Sequence, residues 1–167
     1  MRRDVAGDEE AIRAVHRAAF SRAGGGEPIE VGLVDALRAD PAWLPHLSLV
    51  AVVDRDVVGH VVATRAAVDG ERALGLGPIG VLPAFQGRGV GNALVYGLLG
   101  AAQARDETLV ALLGDPRYYG RFGFVAASEL GVLSPDPAWG GYFQALALSA
   151  AAPTGTFRYA APFDGLG

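Results

Sequence analysis

Residues 86–92, Gln-Gly-Arg-Gly-Val-Gly-Asn, stand directly before a stretch with the apolar spacing of a helix. That placement suits anion binding. A helix N-terminus presents N–H groups without intrahelical partners and the positive end of the macrodipole. Gly87, Gly89 and Gly91 let the turn wrap so that several N–H groups converge on one phosphate. Arg88 can add a charge-assisted hydrogen bond. Taken alone, the same glycines serve equally well as a plain strand–helix connection. A second pattern, Gly75-x-Gly77-x-x-Gly80, matches the dinucleotide-binding string, but that string must leave a strand and open a helix. Here Val81-Leu82-Pro83 continues an extended segment and then breaks it, and Pro78 removes a backbone donor. A strand whose glycines permit a bend or a close approach is the better reading, and a nicotinamide-dependent oxidoreductase is disfavoured.

What the sequence lacks narrows the chemistry further. There is no cysteine, hence no thiolate nucleophile, disulfide framework or thiolate metal site. All fourteen cations are arginine, which removes Schiff-base chemistry and the phosphate lysine of a Walker loop. No GxSxG elbow activates a serine. The histidines, His16, His46 and His60, are far apart in sequence with no HxxxH or HxH spacing, so no metal site is expected. With net charge −4 and the arginines scattered, no nucleic-acid partner is expected. Arg2-Arg3 is followed by acidic residues where an export signal needs an apolar stretch, and no run approaches the ~18 apolar residues of a membrane span. A cytoplasmic protein is expected, without a membrane partner.

The elements that must position the loop follow from periodicity. With 51% apolar and 19% charged residues, the 167-residue chain has material for one core. Ile12, Val15, His16 and Ala19 share one face of a helix beginning at Asp8. Gly24–Gly26 ends it in a flexible loop, and Ile29, Leu33, Ala36 and Leu37 mark a second helix stopped by Asp40-Pro41. Strands are expected at 47–53, 57–68 and 73–82, joined by the polar turns 54–56 and 69–70. A helix through Gln103 turns Leu94, Leu98 and Ala101 inward. The unbroken apolar run 108–113 suits a strand covered on both faces. Pro116 opens a short helix that ends before Gly123, then strands follow at 124–127 and 142–148, and 150–167 reads as loop. The order predicts a mixed α/β sheet with helices on its faces.

The segment 77–94, Gly-Pro-Ile-Gly-Val-Leu-Pro-Ala-Phe-Gln-Gly-Arg-Gly-Val-Gly-Asn-Ala-Leu, closely resembles the cofactor motif of the GCN5-related N-acetyltransferase (GNAT) superfamily. In that family a Q/RxxGxG/A loop follows the fourth strand; Gln86, Gly89 and Gly91 match its fixed positions. Residues 113–124 resemble the next strand, the final helix and a Y-x-x-x-G-F ending, matched by Tyr119, Gly123 and Phe124. The likeness extends over the helix pair and the 157–163 tail, and looks most like a bacterial subgroup of predicted acetyltransferases. It implies a single domain over 1–167, with 150–167 as a C-terminal extension. The implied fold is a mixed, mostly antiparallel sheet whose fourth and fifth strands splay between flanking helices.

The implied activity is acetyl transfer from acetyl-CoA to a primary amine, on a small molecule or a peptide, by a chain allowed to act as a homodimer. Ile79 and Val81 would offer main-chain groups to the pantetheine arm. The loop from Gln86 through Gly87, Arg88, Gly89, Val90, Gly91 and Asn92 would hold the pyrophosphate, with Arg88 assisting. Tyr119 would protonate the departing sulfur, as a neutral phenol with ordinary pKa near ~10 can. Many family members carry a carboxylate on the fourth strand; residues 73–82 have none. Glu30, Asp115, His60 or a water chain remain as bases. That missing carboxylate motivates an alternative, a non-catalytic acyl-CoA-binding or regulatory module on the same fold.

Overall fold

The computed structural model describes residues 1–21 and 25–166. Along the chain run β1 (Arg2–Arg3), α1 (Glu9–Phe20), α2 (Ile29–Ala39), β2 (Ser48–Val53), β3 (Asp56–Val68), β4 (Glu71–Val81) and α3 (Val90–Gln103). Then come β5 (Leu109–Leu113), α4 (Pro116–Tyr119), β6 (Val125–Ala126), β7 (Val132–Leu133), β8 (Phe143–Ala147) and β9 (Gly155–Arg158). Two tight turns set the register at the centre. Asp54 and Arg55 both adopt positive φ, as do Asp69 and Gly70. That geometry matches the twist of the strands flanking a two-residue hairpin loop, and pairs Val53 with Asp56 and Val68 with Glu71.

The main sheet has the order β1-β2-β3-β4-β5-β8-β6. Its pairs are antiparallel except β4 with β5. That parallel ladder is short: Leu74 pairs with Val110 and Gly75 with Ala111, and no pairing continues along β4 to Val81. On its other edge β4 stays bound to β3, with a slip between Val61↔Ile79 and Ala63↔Leu76 that inserts one extra residue into β4. Such a bulge bends its strand. The fourth and fifth strands of the sequence-predicted sheet therefore do splay.

The helices cover the sheet from both faces. Leu94 and Leu98 of α3 are fully buried with Leu47, Val61, Leu74 and Leu76. Full burial of each such leucine contributes roughly 1.5–3 kcal/mol. On the opposite face, Ile12 of α1 and Val34 of α2 meet Val50, while Leu33 and Leu37 meet Val62. Ile29 and Ala36, expected on the buried stripe of α2, are exposed. Steps of three and four residues back from Leu37 reach Val34 and Leu33, and these set the face. Across the sheet, Glu107 is 5% exposed and accepts from Arg65 Nη1 and Nη2 at 2.7 and 2.6 Å. Burial alone would raise its pKa; the hydrogen bonds and charge of Arg65, aided by Arg72, outweigh that and hold it ionised.

The stretch 150–167, expected as loop, contributes β9, which takes the edge of β3 beyond the end of β2 through Val68↔Phe157 and Ala67↔Arg158. Phe157 is 1% exposed. A four-residue strand whose partner lies far off in sequence leaves no local signature. The expected strand at 124–127 shrinks to Val125–Ala126, because the chain turns into a 3-10 helix over Ala127–Leu130.

Candidate active site

The open side of β4 follows from its hydrogen-bond phase. Leu82 N–H donates to the Val58 carbonyl at 2.9 Å. Antiparallel alternation then makes His60–Gly80 a bonded pair as well, and turns the peptide groups of Ile79 and Val81 away from β3. With β5 diverged beyond Gly75, those groups face the gap between the strands. The Val81 carbonyl accepts from Gln86 Nε2 at 3.0 Å, which ties the loop back to the strand it leaves.

Gly87 (φ 70°) and Gly89 (φ 83°) both occupy the left-handed region, where a side chain costs roughly 1–2 kcal/mol. Gly89 is the N-cap of α3 and supplies no side-chain cap. The first helical bond runs from Ala93 N–H to the Gly89 carbonyl, so the N–H groups of Val90, Gly91 and Asn92 have no intrahelical acceptor. Together with the helix dipole they form an anion cradle. Arg88 stands exposed beside it, its Cζ 5.9 Å from the Phe85 ring centre, with no ion pair among the described residues. A Cβ at Gly91 would lie 2.7 Å from the Tyr118 hydroxyl, so Tyr118, whose ring packs on the core beside Phe122, reaches the start of α3 with its hydroxyl.

Tyr119 points elsewhere. Its ring lies directly against Gly114, where any Cβ would overlap it, just past the end of β5. It packs edge-on against Tyr118 and Phe124, with centroids 4.9 and 5.9 Å apart. The residue is 9% exposed. Burial first, and then Tyr118, push its phenol well above the ordinary tyrosine range, so it keeps its proton at neutral pH. Pro116 opens α4, Asp115 caps it by accepting from Arg117 N–H at 2.9 Å, and Gly123 (φ 93°) closes the following turn.

Of the expected bases, Asp115 is bound by the Arg117 side chain at 2.8 Å and held below the usual carboxylate range by it. Glu30 lies in the first turn of α2. The Gly24–Gly26 loop preceding that helix begins at a residue outside the described ones; Gly25 and Gly26 have positive φ. His60 sits in an arrangement that sequence spacing could not reveal. Its Nδ1 is 2.8 Å from His16 Nε2, and its Nε2 is 2.9 Å from Ser48 Oγ. All three residues are 0% exposed. His16 Nδ1 is buried without a hydrogen-bond partner and would lie 3.0 Å from a Cβ at Gly80. Burial pushes His16 down to about 4 and His60 well below the ordinary imidazole value, so both are neutral. The helix period of α1 and the strand period of β3 each point a histidine inward, but only the packing of α1 on β3 joins them. Among the described residues, no three His, Cys, Asp or Glu groups cluster to hold a metal. No helix among them is long and apolar enough to cross a membrane.

A parallel pair that opens beyond Gly75, followed by a glycine loop and a helix N-terminus, defines the acetyl-transfer fold. The sequence pattern of the Acetyltransferase (GNAT) family matches residues 11–124, and the chain belongs to that family as an acyltransferase. It is 35% identical over 135 residues to the uncharacterized N-acetyltransferase YjhQ of Escherichia coli K12, covering 78% of this chain and 72% of the relative. Among solved structures it resembles a GNAT family acetyltransferase from Brucella melitensis in complex with acetyl-CoA. That likeness has 37% identity and TM-score 0.80, over 98% of this chain and 96% of the other. The E. coli YhbS structure in complex with CoA is 30% identical with TM-score 0.89, covering 99% and 92%.

Proposed function

We propose that residues 1–167 act as one catalytic domain that transfers an acetyl group from acetyl-CoA to a primary amine by direct attack. The observation that carries this reading is the run of main-chain groups without a sheet or helix partner, from Ile79 and the Val81 N–H on the open edge of β4 to the N–H groups of Val90, Gly91 and Asn92 at the start of α3, with the Val81 carbonyl held by Gln86. An extended, amide-bearing arm ending in a pyrophosphate fits such a run. Ile79 and Val81 would hold the pantetheine amides. Gln86 would fix the loop, and the main chain of Gly87–Asn92, with Arg88, would hold the phosphates. The named relatives support the donor, since both structures above were solved with acetyl-CoA or CoA.

The donor supplies an acetyl thioester; the protein supplies position and a proton. The amine, once deprotonated, attacks the carbonyl carbon. The C–N bond forms, the C–S bond breaks, and the sulfur takes the proton of Tyr119, which recovers it from solvent. Its raised pKa keeps the phenol protonated at neutral pH, so the proton is in place when negative charge develops on the sulfur. Without cysteine or lysine, the usual covalent acyl carriers are absent, and positioning in a ternary complex provides much of the rate. The test is thiol release from acetyl-CoA over a panel of primary amines, paired with calorimetry of CoA binding. Tight CoA binding with no thiol release from any amine would favour the non-catalytic module.

A further inference from the structure

Tyr159 follows β9 directly and is pinned by it. Thr156 N–H donates to Asp69 Oδ1 at 3.1 Å, and Asp69 N–H donates to the Thr156 carbonyl at 3.1 Å. The Tyr159 ring lies on Gly75, so that a Cβ there would sit 2.8 Å from its Cδ1. Gly75 is the residue at which β4 and β5 last pair, which puts Tyr159 at the apex of the gap. Strand alternation gives the face. Leu74 and Leu76 point into the core that holds Tyr119, whereas Gly75 points the other way, toward the cluster of Ala66, Ala73 and Ala111 on which Tyr159 packs. The two tyrosines thus flank the gap from opposite faces. They remain close enough that Tyr119, after burial, helps push the Tyr159 phenol above its ordinary range. The Tyr159 hydroxyl has no hydrogen-bond partner among the described residues. Its ring is walled by Phe157, Phe163 and Trp139, with centroids 4.8, 4.7 and 6.3 Å away.

A nucleophile approaches a planar thioester carbonyl from one face. Such an approach needs a face that Tyr119 does not cover, and Tyr159 lies on the other face of the sheet at the apex of the gap. We propose that Tyr159 is an acceptor-binding residue whose hydroxyl accepts a hydrogen bond from the incoming amine while the partly buried rings of Trp139 and Phe163 take its carbon stem. This inference rests on the acetyl-transfer reading above. The side chains packed against the Tyr159 ring are aromatic or apolar, so the site favours a monoamine on an aromatic or apolar stem over a diamine, whose second ammonium would lose its hydration there without a paired charge.

The test uses 2-phenylethylamine as probe, by calorimetry on the CoA-loaded protein and by thiol-release kinetics, with 1,5-diaminopentane for comparison. Loss of one charge-assisted hydrogen bond corresponds to roughly ten- to hundredfold. Tyr159→Phe, which keeps the ring and its packing, should weaken 2-phenylethylamine binding and raise its KM by about that factor. CoA affinity and the KM for acetyl-CoA should stay within about twofold, and 2-phenylethylamine should be the better acceptor in the wild type. Unchanged amine affinity in Tyr159→Phe, or preference for the diamine, overturns the proposal. So does an equal rise in both Michaelis constants. Failure of the wild type to bind CoA overturns the donor reading instead, and calorimetry of CoA alone separates the two.

Discussion

Acidification should unfold this protein through its buried imidazoles before most carboxylates protonate. His16 stays neutral in the folded state down to about pH 4, whereas in the unfolded chain it protonates near ~6.5. Between those values the unfolded state binds more protons than the folded one, so stability falls as pH falls. At one proton the slope is about 1.4 kcal/mol per pH unit, and the whole interval makes roughly 3 kcal/mol of stability conditional on pH. His60 is shifted in the same direction, by burial first and then by His16 and Arg38, with Asp8 opposing. It steepens the decline toward two protons. Above about pH 6.5 the contribution is fully present. Urea unfolding measured from pH 7.5 to 4.5 gives the slope, and imidazole chemical shifts on the folded protein give the titration itself. His16→Leu should flatten the profile by about one proton. A His16 resonance titrating near 6.5 in the folded protein, or parallel profiles for wild type and His16→Leu, would refute the reasoning.

Three further outcomes follow from the site and the core. Gly89→Val, at φ 83°, and Gly91→Val, against the Tyr118 hydroxyl, should each weaken CoA binding by tenfold or more, on the order of 1.4 kcal/mol. Calorimetry with unchanged affinity in both folded variants would dismiss the cradle. Tyr119→Phe should leave CoA affinity intact and lower turnover by roughly 10²–10⁴-fold, the usual range for a general acid. Tyr118→Phe should do much less, and the opposite ranking in thiol-release rates would move the acid to Tyr118. Arg65→Met leaves Glu107 buried with only the 3.3 Å contact from Arg72, and breaking such a pair costs about 3–5 kcal/mol. A loss under 1 kcal/mol in denaturant midpoints would show that Arg72 suffices.

Much of the framework was legible because its signals are local. Apolar period, proline stops and paired polar turns located the helices and β2–β4, and the strand–glycine–helix order located the glycine loop and the start of α3. The gap between β4 and β5 was foreseen through family resemblance, since nothing in residues 74–82 alone encodes where a parallel partner stops. What stayed hidden depends on packing between distant segments. His16 and His60 are separated by 44 residues, so counting spacings for HxxxH or HxH could not join them. Tyr159 sits in a stretch too short and too irregular to read as strand. Its position over Gly75 depends on β9 finding β3, a contact between residues 67 and 158. A glycine in mid-strand was the one available hint, because Gly75 leaves room for exactly such a visitor. The two tyrosines of α4 were indistinguishable by composition. The Y-x-x-x-G-F likeness singled out Tyr119, and the structure sets the Tyr119 ring against Gly114 and the Tyr118 hydroxyl beside Gly91.

Past Gly75, β4 is an unpaired sheet edge held inside the molecule rather than at its rim. Exposed edges recruit strands from other chains and start aggregation. Here β5 leaves the edge after Gly75 and the bulge at 77–78 bends β4, so the edge is not a straight template for an added strand. Any occupant that hydrogen-bonds to Ile79 thus also guards the native state. At a hundred times its dissociation constant it adds about 2.7 kcal/mol of stability. Unliganded protein is correspondingly the form most open to strand addition, and its solubility on storage should improve with CoA present.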